Sequence, residues 1–159
     1  MPDIKARIKP GDYHIVVSSR HSVASIFNHK GEKIGPSYPA RTLGQHRFWR
    51  ERNGDTPPGL YVCGVIYNTE QPRSDLHAYG RRCIDLIDLE GQETGNGRSG
   101  ISLHGGGSAL PDPTAPFQGW ANTHGCIRVQ NGHLMKVFVP LVETAQRSGK
   151  KVYVTVTEE

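Results

Sequence analysis

Cysteine, methionine and tryptophan are scarce in this chain, and what is missing removes several classes of protein. Three cysteines in 159 residues are too few for a small secreted scaffold built on disulfides. None sits at a zinc-finger spacing, and no Lys/Arg-Gly-aromatic string of an RNA-binding motif is present. No apolar run approaches the length needed to cross a bilayer, so no membrane span is expected. The opening Met1-Pro2-Asp3-Ile4-Lys5-Ala6-Arg7 lacks the apolar centre of a secretory signal. A mature or trimmed form, a cytosolic protein and one exported by another route all fit that opening. Neither sign of charge dominates. The net charge of +4 includes a cluster of His46, Arg47, Arg50 and Arg52 and a pair, Arg81 and Arg82. A mildly basic surface suits an acidic polymer, and ordinary solvated arginines explain it equally well. No nucleic-acid partner and no cofactor is expected.

What is abundant is glycine and proline, 19 and 11 residues, among Val, Ile, Tyr and Thr. That composition suits many short strands and turns in a single domain. Strands are expected over residues 13–18, 22–28, 60–67, 82–89, 100–104 and 151–157. Residues 34–45, with Gly35-Pro36 and Pro39, read as an irregular segment or edge strand. Residues 68–80 read as a loop and 93–100 as a Gly- and Asn-rich turn. Asn131 is placed to cap a helix carrying Leu134, Val137, Phe138, Leu141 and Val142 at helical spacing. Pro140 should kink that helix or split it in two. The expected architecture is mainly β, two packed sheets with a C-terminal helix. Residues 1–11 form an N-terminal extension and 12–159 the domain.

Chemistry concentrates in Thr123-His124-Gly125-Cys126-Ile127-Arg128 and, upstream, in His104-Gly105-Gly106-Gly107. A cysteine attacks carbonyl carbon as the thiolate, so it needs a base or a positive environment. His104, His124 and Arg128 are the groups that could supply one. The glycine run after His104 lets the chain turn sharply and leaves space around the imidazole. Gly125 removes a side chain where a carbonyl would approach, and the N–H groups of Gly125 and Cys126 could point at a developing oxyanion. Arg128, two residues past Cys126, could fork onto a substrate carboxylate. Taken singly, a cysteine is more often a small buried hydrophobe, a histidine a surface group and an arginine a solvated charge. Together with the glycines they are hard to explain as packing. Cys63 and Cys83 lie in apolar strand-like runs and could be buried; two free thiols are expected, a disulfide between them being open only to an oxidising compartment. A rival reading takes His104, His124, Cys126 and His133 as zinc-type ligands, although their spacing matches no common zinc pattern.

The two strings resemble the signature of the YkuD-type L,D-transpeptidases, which runs from a histidine through a variable loop to Ser/Thr-His-Gly-Cys. Asp55-Thr56-Pro57-Pro58-Gly59-Leu60-Tyr61 is similar to the family's Thr-Pro-x-Gly-aromatic entry to a core strand. Asn131, the following helix and Gly149-Lys150-Lys151-Val152-Tyr153-Val154 are similar to its C-terminal helix and last strand. The resemblance covers about residues 12–157. Two features depart from it: a slightly longer loop between His104 and Thr123, stiffened by Pro111, Pro113 and Pro116, and Gly105 where some members have serine. It implies a YkuD-like β-sandwich with a C-terminal helix, acting on peptidoglycan stem peptides in the periplasm or cell-wall space. It further implies Cys126 as nucleophile, His104 as base, the Gly105 carbonyl orienting that base, and Gly125 with Cys126 as oxyanion hole. His124, Arg128 and Thr123 would line the substrate pocket, Tyr79 or His77 would reach in from a flap, and Trp120 would either wall the acceptor side or serve in packing. Transfer to an amine or to water, and a role as a secreted wall-targeting effector, all stay open.

Overall fold

The computed structural model describes residues 4–45, 47–51, 53–90 and 100–159. His46, Arg52 and all but Gly100 of the turn expected at 93–100 lie outside the described residues. Among the described residues eight strands form one closed sheet: β1 (Tyr13–Ser18), β2 (Val23–Asn28), β3 (Lys33–Arg41), β4 (Gly59–Asn68), β5 (Arg82–Asp88), β6 (Ser102–His104), β7 (Ile127–Val129) and β8 (Val152–Thr157). Their order around the barrel is β1-β2-β3-β7-β6-β5-β4-β8. The mainly β class and the C-terminal helix are as expected, and the two packed layers are opposite walls of one continuous sheet. Closure comes from a parallel pairing of β1 with β8, Tyr13 opposite Val152.

Alternation sorts each strand into an inner and an outer face. Ile84 and Leu86 of β5, Leu103 of β6, Ile127 and Val129 of β7 and Val154 and Val156 of β8 are buried in the shared core. Their neighbours in sequence point out, and the pairing register lines these up. Tyr67 stands opposite Cys83, Cys83 opposite His104, His104 opposite Arg128, and Arg128 opposite Arg41. One transverse row therefore carries the candidate base and the candidate arginine on the outside of the barrel.

Three segments differ from the sequence reading. Residues 33–41 form an interior strand between β2 and β7, not an edge. A register shift between Ala24 and Ile26 absorbs the Gly35-Pro36 irregularity. Residues 68–80 contain a helix, α1 (Arg73–Tyr79), which buries none of its residues. It has no apolar stripe to betray it. Asn131 does not cap the C-terminal helix but begins it, as α2 (Asn131–His133). The chain then passes through a π-helical stretch, Leu134–Phe138, into α3 (Val139–Arg147), with Pro140 in its first turn. Proline has no N–H for the preceding turn, and the wider π turn accommodates that gap without splitting the helix. No helix among the described residues is long and apolar enough to cross a membrane.

Candidate active site

A cleft of about 740 Å³ opens over the outer row. Tyr79, His104, Thr123, His124, Cys126 and Arg128 line it, so six of the nine residues singled out from the sequence meet there. Cys83, Ser102 and Asp85 line it as well. Trp120 is not among the lining residues. It lies under Arg41, whose guanidinium carbon is 4.7 Å from the ring centroid, which is a packing role.

His104 is 2% exposed. Its Nδ1 is 2.7 Å from the Gly105 carbonyl oxygen. A carbonyl only accepts, so Nδ1 carries the hydrogen and Nε2 keeps its lone pair. The ring of Tyr79 meets it edge-on at 5.1 Å between centroids. Burial above all, and the charge of Arg128, lower the His104 pKa to about 4 against the opposing effect of the Gly105 bond. The imidazole is therefore neutral at neutral pH, which is the state a base requires.

That shift predicts an acid-sensitive fold. Between the ordinary histidine value of 6.5 and about pH 4, the unfolded chain takes up a proton at this position that the folded chain refuses. Stability is thus undiminished above pH 6.5 and falls as pH drops towards 4, by about 3 kcal/mol for this group at about 1.4 kcal/mol per unit. His14, also buried and lowered by desolvation, shifts the curve in the same direction. Denaturant unfolding of the wild type beside His104→Gln isolates the His104 share. The stability gap between the two should change between pH 7 and pH 4 by that amount.

The glycines after His104 do not leave open space. A Cβ at Gly105 would lie 2.2 Å from Asn131 Oδ1, and one at Gly106 would lie 2.7 Å from backbone atoms of His77, Ala78 and Gly80. They allow close approach instead. The Gly105 N–H donates to the Tyr79 carbonyl at 2.8 Å, and the Gly107 N–H to the His77 carbonyl at 2.7 Å. The turn after β6 is thereby stitched to the end of α1. Asn131 holds the same turn from beneath. Its Oδ1 accepts from the Gly106 N–H, and its Nδ2 donates to the carbonyls of Pro113 and Ala115, each at 2.8 Å. Gln118 adds bonds to the carbonyls of Gly106 and Val129. The proline-containing loop is thus tied to the turn that carries the histidine. As a polar residue before an apolar helix, Asn131 reads as a cap, and only its burial reveals the other task.

Arg128 is 5% exposed. Its Nε donates to the Gly105 carbonyl at 3.3 Å and its Nη2 to the Ala78 carbonyl at 3.2 Å. Its Nη1 donates to the carbonyls of Ala121 and Asn122. The expected fork onto a substrate carboxylate is replaced by a clamp on three backbone segments of this chain. Thr123 likewise faces its own backbone: its Oγ1 donates to the Cys126 carbonyl and accepts from the Gly125 N–H, both at 2.9 Å. The Gly125 N–H, expected to serve the oxyanion hole, is therefore engaged by Thr123. Gly125 takes φ +113°, a conformation open to glycine. His124 is exposed on the rim.

All three cysteines are free. Cys63 is buried as expected, its thiol pushed up to about 12 by burial and by Asp85. Cys83 is only partly buried and opens into the cleft. His133 lies away from the cleft against the rings of Tyr38 and Phe117, 5.0 and 5.5 Å between centroids. Among the described residues no group of three or more His, Cys, Asp or Glu is placed to hold a metal.

Residues 12–154 match YkuD, the L,D-transpeptidase catalytic domain. No curated protein matches the chain. Its fold is similar to that of Bd1075 from Bdellovibrio bacteriovorus, with 22% identity and a TM-score of 0.62, over 92% of this chain and 47% of that one. It is similar also to the helical cell shape determining protein Pgp2 from Campylobacter jejuni, with 20% identity and a TM-score of 0.64, over 92% of this chain and 48% of that one. An L,D-transpeptidase from Stackebrandtia nassauensis shares the fold at 16% identity and a TM-score of 0.54, over 91% of this chain and 55% of that one. The chain thus spans about half the length of these structures.

Proposed function

The chain belongs to the YkuD family of L,D-transpeptidase catalytic domains, and on that premise we propose that it is a cysteine acyl-transfer enzyme acting on peptidoglycan tetrapeptide stems. The observation that carries this reading is that Cys126 and a neutral, tautomer-fixed His104 open into one cleft. His104 Nε2 takes the thiol proton as Cys126 Sγ bonds to the amide carbonyl carbon next to an L-centre of the stem. The carbon–nitrogen bond breaks, and the imidazolium returns the proton to the departing terminal D-residue. The thioester then passes to an amine of a second stem, which forms a crosslink, or to water, which leaves a tripeptide. Arg128 and Asn131 act through position, holding the turn that orients His104. Tyr79 supports the imidazole from the α1 side, and His124 meets substrate at the rim. The site of action is the periplasm or cell-wall space, where such stems occur.

The test is intact-protein mass spectrometry after incubation with a purified disaccharide tetrapeptide, wild type beside Cys126→Ala, with the released peptides analysed in parallel. A Cys126-dependent acyl adduct together with loss of the terminal D-residue is expected. Crosslinked dimer identifies the transferase and tripeptide the hydrolase. Turnover by Cys126→Ala at the wild-type rate would sink the scheme.

A further inference from the structure

Ser102 and Cys83 form a second contact network at the nucleophile, from side chains that the acyl-transfer scheme does not use. Cys83 Sγ donates to Ser102 Oγ at 3.2 Å, and Ser102 Oγ lies 3.4 Å from Cys126 Sγ. Cys126 Sγ in turn donates to the Gly100 carbonyl at 3.4 Å. Each of the three side chains has a single hydrogen to give. One consistent orientation follows: Cys83 S–H to Ser102, Ser102 O–H to Cys126, Cys126 S–H to Gly100. We propose that Ser102 is a positioning residue that donates to Cys126 Sγ and favours its thiolate, and that Cys83 is the donor that keeps the Ser102 hydrogen turned that way. The proposal rests on Cys126 being the nucleophile.

The physical case is one of sign. When His104 removes the Cys126 proton, the bond to Gly100 is lost, whereas the bond from Ser102 becomes a hydrogen bond to an anion and strengthens. A donor that binds the charged form more tightly lowers its pKa. Cys83 suits the outer place in the chain because it holds its proton. Burial first of all pushes its thiol up to about 11; the Ser102 bond opposes, and Cys126 and Asp85 add to the rise. Cys83 is not placed to form a disulfide with Cys126. β6 lies between β5 and the strand that follows Cys126, and two sheet spacings of about 4.8 Å each exceed the α-carbon separation that a disulfide spans. Among the described residues, the charged and titratable groups that line the cleft with Cys126 are His104 from β6, Arg128 from β7, Cys83 and Asp85 from β5, Tyr67 from β4, Tyr79 from α1 and His124 beside it. Changing Ser102 replaces none of these residues and removes one bond among them, the one Cys83 donates to Ser102.

The experiment is the rate of Cys126 alkylation by iodoacetamide across roughly pH 5–10, followed by mass on the Cys126 peptide in the full chain. Ser102→Ala should raise the midpoint by about one pH unit, the scale of one hydrogen bond to a charged group. Cys83→Ala should raise it by less, and Cys83→Ser, which keeps a donor, should restore the wild-type profile. Coincident profiles for Ser102→Ala and wild type would overturn the proposal, as would equal shifts in Cys83→Ala and Cys83→Ser. Failure of the underlying reading looks different, because turnover would then survive Cys126→Ala whatever the alkylation profiles show.

Discussion

Cys126→Ala and His104→Gln should each lower turnover of a tetrapeptide by at least about a thousandfold, and the double variant should be no slower than the worse of the two. Alanine removes the sulfur that forms the thioester in the proposed scheme and leaves the walls of the cleft in place. The Sγ contacts it deletes include weak bonds at 3.4 Å to Ser102 and Gly100, and the fold should hold. Glutamine at 104 is close to histidine in size and can still address the Gly105 carbonyl, but it offers no basic lone pair at the Nε2 position. Because the base acts only through the nucleophile, removing it from an enzyme already without Cys126 changes nothing further. Release of the terminal D-residue measures all four proteins. Losses that multiply in the double variant would mean that His104 and Cys126 work independently, and the proposed mechanism would fail.

Arg128→Met should be damaging to both fold and catalysis. The guanidinium satisfies carbonyls of Gly105, Ala78, Ala121 and Asn122, contributed by the turn after β6, by α1 and by the segment leading to Thr123. Methionine fills much of the volume and none of the bonds. Buried carbonyls left without donors cost about 1–3 kcal/mol each, so a loss of about 3 kcal/mol or more in denaturant unfolding is expected. Lysine should not rescue it, since one ammonium cannot reach three directions from a single point. Among molecules still folded in the cold, kcat should fall more than KM rises, because the lost arginine oriented His104 through Gly105 and did not hold substrate. A rise confined to KM with stability unchanged would return Arg128 to the role of gripping a substrate carboxylate.

The reactive strings were legible because their chemistry needs particular residue types at particular spacings. A thiol beside glycine, and a histidine followed by glycines, have few other uses together. What those residues touch was not legible. Ser102 and Cys83 reach Cys126 through strand pairing between segments that are 24 and 43 residues from it in sequence by residue number, and pairing register leaves no local mark. Arg128 carries the same letters whether it holds a ligand or a carbonyl, and only its burial decides. The purpose of Gly105 and Gly106 was inverted, since a glycine run reads equally as room left open or as room taken by neighbours. Helix α1 was missed for want of an apolar stripe. Most strands were found from their alternation, but nothing in six or seven residues announces that the first strand will lie beside the last.

That pairing has a consequence for how the molecule comes into being. β8 lies between β1 and β4, with Tyr13 opposite Val152 on one side and Gly59 opposite Val156 on the other. A chain emerging from the ribosome carries β1 and β4 long before residues 152–157 exist to join them, so both strands wait with a bare edge. Contacts this distant in sequence are slow to form. The barrel on whose outer face Cys126 and His104 meet is therefore completed only after the whole domain has been synthesised, and a nascent chain would hold its thiol without the machinery to use it.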